Sequence, residues 1–398
     1  MTTSTPSAWI DAADRHIAGT YKRFPIVLTR GKGCTVWDGN GKAYRDFVAG
    51  IAVCNLGHCH PEVTAAVCEQ AGLLVHVSNL YYTQPQIDVA RMLTANSFAH
   101  RVFFCNSGAE ANEAAIKIAR KYFQDRGETD RFEIVSMKQS FHGRTMATLS
   151  ATGQEKIRKG FDPVLPGFRF VAYNDIDALR ETVGDQTCAV LLEPIQGEGG
   201  IRIPDPGYLR QVRQICADSG ALLIYDEIQT GMGRTAKLFA HEHEGVRPDI
   251  MTLAKALANG LPMGAMLCTE KVAEAFSPGA HASTFGGTPL VTAASRAVLR
   301  LLTETDILEH CRIMGDRLVG GLRELASRHA VVRDVRGKGL MIGAEIDGNG
   351  ADVVMACMEK GFLINCVQGN VLRFVPPLVV DADDIDALLS CLDEVLGR

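Results

Sequence analysis

The 398-residue chain contains no apolar run approaching the ~18 residues that a bilayer-spanning helix needs, no block of like charges, no internal repeat and no low-complexity stretch. Its formal net charge is −5, so it lacks the basic surface on which sequence-independent nucleic-acid binding depends. Neither a nucleic acid nor a membrane is therefore expected as a partner. The segment Met1-Thr2-Thr3-Ser4-Thr5-Pro6 has no basic start, and Asp11 and Asp14 interrupt the residues after it, so it does not read as an export signal. The twelve cysteines are scattered from Cys34 to Cys391 without a dense framework. They read as reduced, mostly buried thiols of a cytoplasmic protein. Charged residues are only 22% and hydrophobic ones 46%, which implies a large core and excludes a disordered chain. Glycine, by contrast, is in excess at 39 residues, and that excess needs an explanation.

At roughly 150 residues per domain the length allows two or three domains. Gly39-Asn40-Gly41 lies between Cys34–Asp38 and Lys42–Phe47, a hairpin signal. Short apolar runs then alternate with helix-like segments: Arg101–Cys105, Phe132–Ser136, Phe168–Val171, Ala189–Leu192, Ala221–Tyr225 and Ile250–Leu253 read as strands, Ala111–Tyr122 as a helix. Such interleaving implies an α/β fold with a mostly parallel sheet covered on both faces. A helix near Pro289–Leu302 leads out of this region, and Val331–Val335, Gly339–Ile346 and Val371–Val375 read as strands of a smaller α/β domain. The expected division is an arm and hairpin over residues 1–50 belonging to the small domain, a large domain over 51–290 and a small C-terminal domain over 291–398.

In an open α/β sheet, ligands bind outside the carboxyl ends of the strands, and three strand ends carry informative side chains. Asn106-Ser107-Gly108-Ala109-Glu110 precedes an alanine-rich helix. Ser107 and Glu110 have capping-box spacing, so the segment is either a well-capped helix or an anion site at a helix N-terminus. Tyr225-Asp226-Glu227-Ile228-Gln229 puts two carboxylates where a buried charge needs a partner, either a salt bridge or a cationic ligand atom. Thr252-Leu253-Ala254-Lys255 ends a third apolar strand in a lysine. Most lysines are surface residues, but a buried one has a depressed pKa and supplies the neutral amine of imine chemistry. One ligand answers all three features. Pyridoxal 5′-phosphate (PLP) carries a phosphate, a pyridine nitrogen and an aldehyde. A carboxylate about 4 Å from the ring nitrogen contributes roughly 4 kcal/mol at an effective dielectric of ~20, enough to hold it protonated.

The stretch from Leu222 through Tyr225-Asp226-Glu227-Ile228-Gln229-Thr230-Gly231-Met232-Gly233-Arg234, running on to Pro248-Asp249-Ile250 and Lys255, resembles the signature of the class III PLP-dependent aminotransferases. Supporting blocks are Gly50–His58, Phe141-His142-Gly143-Arg144, Leu192–Gly200 and Ser283-Thr284-Phe285-Gly286-Gly287. The resemblance extends from about Gly31 to the C-terminus. It implies the type I fold of PLP-dependent transferases, with Lys255 carrying the cofactor through an imine, Asp226 on the pyridine nitrogen and Gln229 near the ring hydroxyl. It further implies Phe141 stacked on the ring, and Ser107, Gly108 and Ala109 on the phosphate, with Thr284 of a second subunit. Many members have threonine where this chain has Ala109, so only the backbone N–H is available there. For substrates the resemblance implies Arg144 and Ser283 at a carboxylate, and Arg373 at the acceptor carboxylate, paired with Glu198 while the donor is bound. The implied reaction is ping-pong transamination in a homodimer with a shared active site. The donor is expected to be acetylornithine and the acceptor 2-oxoglutarate, in arginine biosynthesis; succinylornithine, ornithine, 4-aminobutyrate and succinyldiaminopimelate are the alternative donors.

Three other patterns compete. Gly231-Met232-Gly233-Arg234-Thr235-Ala236 matches a loose dinucleotide fingerprint, but Gly231 stands six residues beyond Tyr225 rather than directly off the strand. Cys54, His58, Cys59 and His60 have no common zinc spacing and read as buried packing, with His60-Pro61 a turn before a helix. His241-Glu242-His243-Glu244-Gly245 fails the metalloprotease pattern and reads as a solvated helix end, so no metal is expected.

Overall fold

The structure, a computed structural model, describes residues 6–397. The expected hairpin forms from β2 (Thr35–Asp38) and β3 (Ala43–Asp46), with Val36 opposite Tyr44. Asp38 closes its turn by accepting from the backbone N–H groups of Asn40 and Lys42, both at 2.9 Å. An additional strand, β1 (Leu28–Lys32), pairs with β2 on the outside.

Seven strands make the central sheet: β4 (Arg101–Cys105), β5 (Glu133–Met137), β6 (Phe168–Val171), β7 (Thr187–Leu192), β8 (Leu222–Asp226), β9 (Ile250–Leu253) and β10 (Gly264–Cys268). Their order is β4-β10-β9-β8-β7-β5-β6. All neighbours run parallel except β10, which is antiparallel to both β4 and β9. β10 is absent from the strands expected of the sequence. Gly264 and Ala265 are poor strand formers and Pro262 stands just before them, so propensity hides a strand that burial on all five residues makes.

The period-2 rule sorts β7 and β8 cleanly. Leu191, Leu222 and Ile224 pack with Ile116 and Ile118 of the helix Gly108–Gln124 on one face. Val190, Leu192, Leu223 and Tyr225 pack with Val212 of the helix Tyr208–Ser219 on the other. Burying a leucine or isoleucine on either face contributes about 1.5–3 kcal/mol. The sheet is thereby covered twice, and only its strand ends are open to ligands.

The C-terminal region builds a four-stranded sheet from β11 (Val332–Lys338), β12 (Met341–Ile346), β14 (Asn365–Val367) and β15 (Val371–Phe374). The short β13 (Phe362–Leu363) instead joins β3 in parallel and completes the N-terminal sheet. Arg234, fully buried, ties these regions to the large sheet. Its guanidinium donates to the carbonyls of Leu340 at 2.8 Å and Pro376 at 2.6 Å, and to Asn55 Oδ1. Desolvation pulls its pKa down to about 10. The turns over residues 228–239 do not lead into a long helix, so the dinucleotide fingerprint has no structural counterpart. Replacing Arg234 by leucine strands three buried acceptors, at about 1–3 kcal/mol each. Arg234→Leu is expected to lose at least ~3 kcal/mol in denaturant unfolding, whereas a loss under ~1 kcal/mol would show the contacts to be incidental.

Candidate active site

A cavity of about 400 Å³ opens at the carboxyl ends of the parallel strands. It is lined by Ser107, Gly108, Ala109, Phe141, Arg144, Glu198, Asp226, Gln229 and Lys255. Nine of the twelve residues singled out in the sequence thus converge there from five separate segments.

At one end lies the N-terminus of the helix Gly108–Gln124. Ser107 caps it, its hydroxyl accepting from the Glu110 N–H at 3.2 Å. The reciprocal half of a capping box is displaced by one residue, because Glu110 accepts from the N–H of Asn106 at 3.0 Å rather than from Ser107. The remaining free N–H groups and the positive end of a 17-residue helix make a seat for an anion. A Cβ at Gly108 would stand 2.7 Å from Ile228 Cδ1 and 3.1 Å from its Cγ2, so any larger residue there has to push the Ile228 side chain aside.

Asp226 ends β8 and is only 3% exposed. Its Oδ2 accepts from Asn112 Nδ2 at 2.7 Å and pairs with His142 Nδ1 at 2.8 Å, and its Oδ1 accepts from the Ile228 N–H at 3.1 Å. Asn112 is itself fixed, donating to the His142 carbonyl at 2.8 Å and accepting from Thr252 Oγ1 at 2.8 Å. Glu227 turns away from the cavity. Its carboxylate receives the N–H groups of Ala240 and His241 and the imidazole of His241. His241 is consequently buried, which corrects the expectation of a solvated helix end in that segment. A short 3₁₀ turn, Ala240–His243, folds back onto Glu227 because that buried carboxylate needs donors.

Lys255 follows β9 with φ +47°, a left-handed conformation that costs a non-glycine residue about 1–3 kcal/mol and tends to occur at functional sites. Desolvation holds its amine below the usual lysine range, while Glu198 opposes the shift and Arg373 adds to it. Arg373 lies outside the cavity lining and is 1% exposed. Its Nη1 pairs with Glu198 Oε1 at 2.5 Å and reaches Gln229 Oε1 at 3.4 Å, and its Nε donates to Asn365 Oδ1 at 3.2 Å. Glu198 therefore stands between Arg373 and the cavity. Gln229 lies flat against Gly197, where a Cβ would come within 2.3 Å of Gln229 Oε1. At the mouth, Arg144 is exposed and its guanidinium sits 5.6 Å from the Phe141 ring centre.

Ser283 and Thr284 are not brought to this cavity within one chain. Ser283 Oγ accepts from the Gly286 N–H at 3.0 Å and from Asn106 Nδ2 at 3.2 Å, and Thr284 is exposed. Both line a second, larger depression together with Leu80, Tyr82 and Phe103. Four residues without an assigned role in the sequence belong to the site: Asn112, His142, Thr252 and Glu193. Asn112 and His142 lie in or beside the motif blocks, yet no linear spacing reveals that they meet at Asp226.

A family model described as aminotransferase class-III matches residues 16–396. The chain is a class-III aminotransferase. Acetylornithine aminotransferase of Caldanaerobacter subterraneus subsp. tengcongensis is 54% identical over 385 residues, covering 96% of this chain and 98% of the relative. Acetylornithine aminotransferase of Methanocaldococcus jannaschii is 50% identical, with 97% of each chain covered. Among solved structures, ornithine aminotransferase from Toxoplasma gondii superposes with a TM-score of 0.96 at 34% identity, covering 99% of this chain and 95% of that one. Another structure of that enzyme contains PLP at partial occupancy in its active site. Acetylornithine aminotransferase from Elizabethkingia anophelis gives a TM-score of 0.89 at 32% identity, with 99% of both chains covered. The type I fold of PLP-dependent transferases is therefore the fold of this aminotransferase.

The cysteine–histidine cluster near residue 58 serves a different purpose. Among the described residues no group of three or more His, Cys, Asp or Glu side chains is placed to hold a metal. Cys59 is exposed and Cys54 half-buried, so buried packing does not describe the cluster either. His58 instead pairs with Asp46 at 2.7 Å, and that hydrogen bond raises its pKa from 6.5 to about 10. A histidine raised on folding stabilises fully below pH 6.5, and its contribution disappears as pH climbs to about 10. His58→Gln is expected to flatten the fall in unfolding free energy over that window, and an unchanged slope would refute the pairing.

Proposed function

We propose that this aminotransferase transfers the side-chain amine of N2-acetyl-L-ornithine to 2-oxoglutarate, giving N-acetyl-L-glutamate 5-semialdehyde and L-glutamate, with PLP as the cofactor. The observation that carries the reading is the Glu198–Arg373 pair beside Lys255. A site that accepts two different substrates in turn, one of them a dicarboxylate, needs an arginine that can be masked and unmasked. The relatives that are 54% and 50% identical over nearly the whole chain and are named for acetylornithine support that donor.

The donor set fits PLP: an anion seat at a helix N-terminus, a hydrogen-bonded carboxylate and a desolvated lysine amine face one cavity. When bound, PLP supplies an electron sink for negative charge on the carbon bearing the transferred nitrogen. Ser107, Gly108 and Ala109 would hold its phosphate, Asp226 its ring nitrogen, Gln229 its hydroxyl and Phe141 one ring face. His142 and Asn112 orient Asp226 for that contact. Lys255 would hold the aldehyde and, once displaced by the donor amine, use Nζ to take the proton from the adjacent carbon and hand it on. Burial favours the neutral amine that this needs. Arg144, exposed at the mouth, receives the donor carboxylate through its fork of N–H groups. Glu198 neutralises Arg373 during that half-reaction. It swings aside when 2-oxoglutarate brings a carboxylate of its own.

The purified enzyme is expected to be yellow, and borohydride should bleach it and leave the label on Lys255. Lys255→Ala should lose at least ~10³-fold in kcat, within the range general acid–base catalysis contributes. A variant that still turned over normally would remove Lys255 from the chemistry. Side-by-side kcat/KM values for acetylornithine, succinylornithine, ornithine, 4-aminobutyrate and succinyldiaminopimelate test the donor, and a preference for free ornithine overturns acetylornithine.

A homodimer completes the reading. Tyr82 is 95% exposed, Leu80 84% and Phe285 61%, and all three border the surface that carries Ser283 and Thr284. An apolar face of this kind marks an interface. Covering it with a second copy would bring Ser283 and Thr284 of each subunit to the cavity of the other. Among the described residues no helix is long and apolar enough to cross a membrane. The twelve free cysteines support a cytoplasmic setting. Sedimentation should show a dimer, and Leu80→Glu with Tyr82→Glu should yield an inactive monomer. A fully active monomer contradicts the shared site.

A further inference from the structure

We propose that Glu193 is a positioning residue that sets the balance between the two substrates by fixing the segment carrying Glu198, an inference that rests on the proposed Glu198–Arg373 switch. Glu193 follows β7, is 5% exposed and lines the cavity. Its two carboxylate oxygens are shared between the two walls. Oε1 accepts from the Gly197 N–H at 3.1 Å, immediately before Glu198, and Oε2 accepts from the Phe141 N–H at 3.1 Å. Tyr173 fastens the same segment from below, its hydroxyl donating to the carbonyls of Glu193 at 3.2 Å and Pro194 at 2.8 Å. Gln368 holds the far side by donating to the Glu198 carbonyl at 2.6 Å.

A buried carboxylate is a costly way to join two loops. Burial pushes Glu193 up to about 7, with Asp226 adding to the rise and His142 and the two N–H groups opposing it. What the ionised carboxylate provides, and an amide of the same shape does not, is an acceptor on both oxygens, and the two N–H groups favour that form. A glutamine can accept from one N–H and must turn its own NH₂ against the other. One of the two clamps is thereby lost without a change in volume; where the NH₂ is turned to Gly197, the segment before Glu198 is released and Glu198 pairs less firmly with Arg373. A dicarboxylate, which must displace Glu198, gains from that change. The donor, which needs Arg373 masked, loses from it. Damage to the site as a whole would weaken both.

The test uses the holoenzymes of wild type, Glu193→Gln, Glu198→Ala and the double variant. Glutarate, a five-carbon dicarboxylate, is titrated calorimetrically, and the single-turnover donor half-reaction is followed by absorbance. Glu193→Gln is expected to bind glutarate about 3–10-fold more tightly and to lose about 3–10-fold in donor kcat/KM, with neither shift appearing on top of Glu198→Ala. Changes in one direction for both ligands, no change, or the same shifts in the Glu198→Ala background overturn the proposal. If Glu198→Ala alone leaves the glutarate-to-donor ratio unaltered, the switch itself fails and Glu193 has nothing to set. Should Glu193→Gln not yield folded holoenzyme, Glu193→Asp, which shortens the stem by one carbon, carries the same comparison.

Discussion

A carboxylate at the end of a buried strand has to find donors within the protein, and Asp226 meets that demand from three directions at once. Asn112 comes from the first turns of the helix Gly108–Gln124, His142 from the segment after β5, and the Ile228 N–H from its own turn. Because Thr252 fixes Asn112, strand β9, which leads to Lys255, belongs to the same network. Satisfying one buried acid therefore sets the relative positions of the helix N-terminus at Ser107, of Phe141 and of Lys255. The geometry of the cavity wall follows from hydrogen-bond completeness, and a partly satisfied network of this kind would cost more than an apolar one.

Among the described residues two arginines are buried, and their surroundings differ. Arg234 is surrounded by carbonyl and amide oxygens with no carboxylate among its hydrogen-bond partners, so its contacts do not change with substrate. Arg373 is buried to the same degree but faces a carboxylate that also borders the cavity. The first is structural because its partners are backbone and amide groups anchored on both sides. In the proposed function the second switches, and its partner sits on a glycine-flanked loop, Gly197-Glu198-Gly199. Similar burial gives a fixed joint in one case and, under the proposed function, a movable one in the other.

How much of the molecule is legible in the sequence depends on whether a signal is local. The strands of the parallel core are readable because burial on both faces leaves continuous apolar runs, as in Ala189–Leu192 and Leu222–Tyr225. Ser107, Asp226 and Lys255 stand out because each is a polar residue at or just beyond the end of such a run. β10 is hidden by weak propensity, and β1 by a sequence without alternation. The side chains that hold Asp226 are invisible for another reason. Asn112 and Asp226 are 114 residues apart, and only the folded sheet brings them to 2.7 Å. His241 misleads because its sequence neighbours are polar while its partner, Glu227, lies 14 residues back. Arg373 and Glu198 come from family resemblance, since nothing in either local sequence announces a pair spanning 175 residues.

The parallel pairing of β13 with β3 also bears on how the chain is made. Phe362 lies opposite Arg45, so the N-terminal sheet cannot close until every residue between them has been made. During that interval the hairpin emerges early and keeps an open hydrogen-bonding edge, the kind of edge that recruits other strands. Contacts at such sequence separation slow folding and lengthen the exposure. With β2 on its other side, β3 keeps this outer edge open until Phe362 and Leu363 reach it.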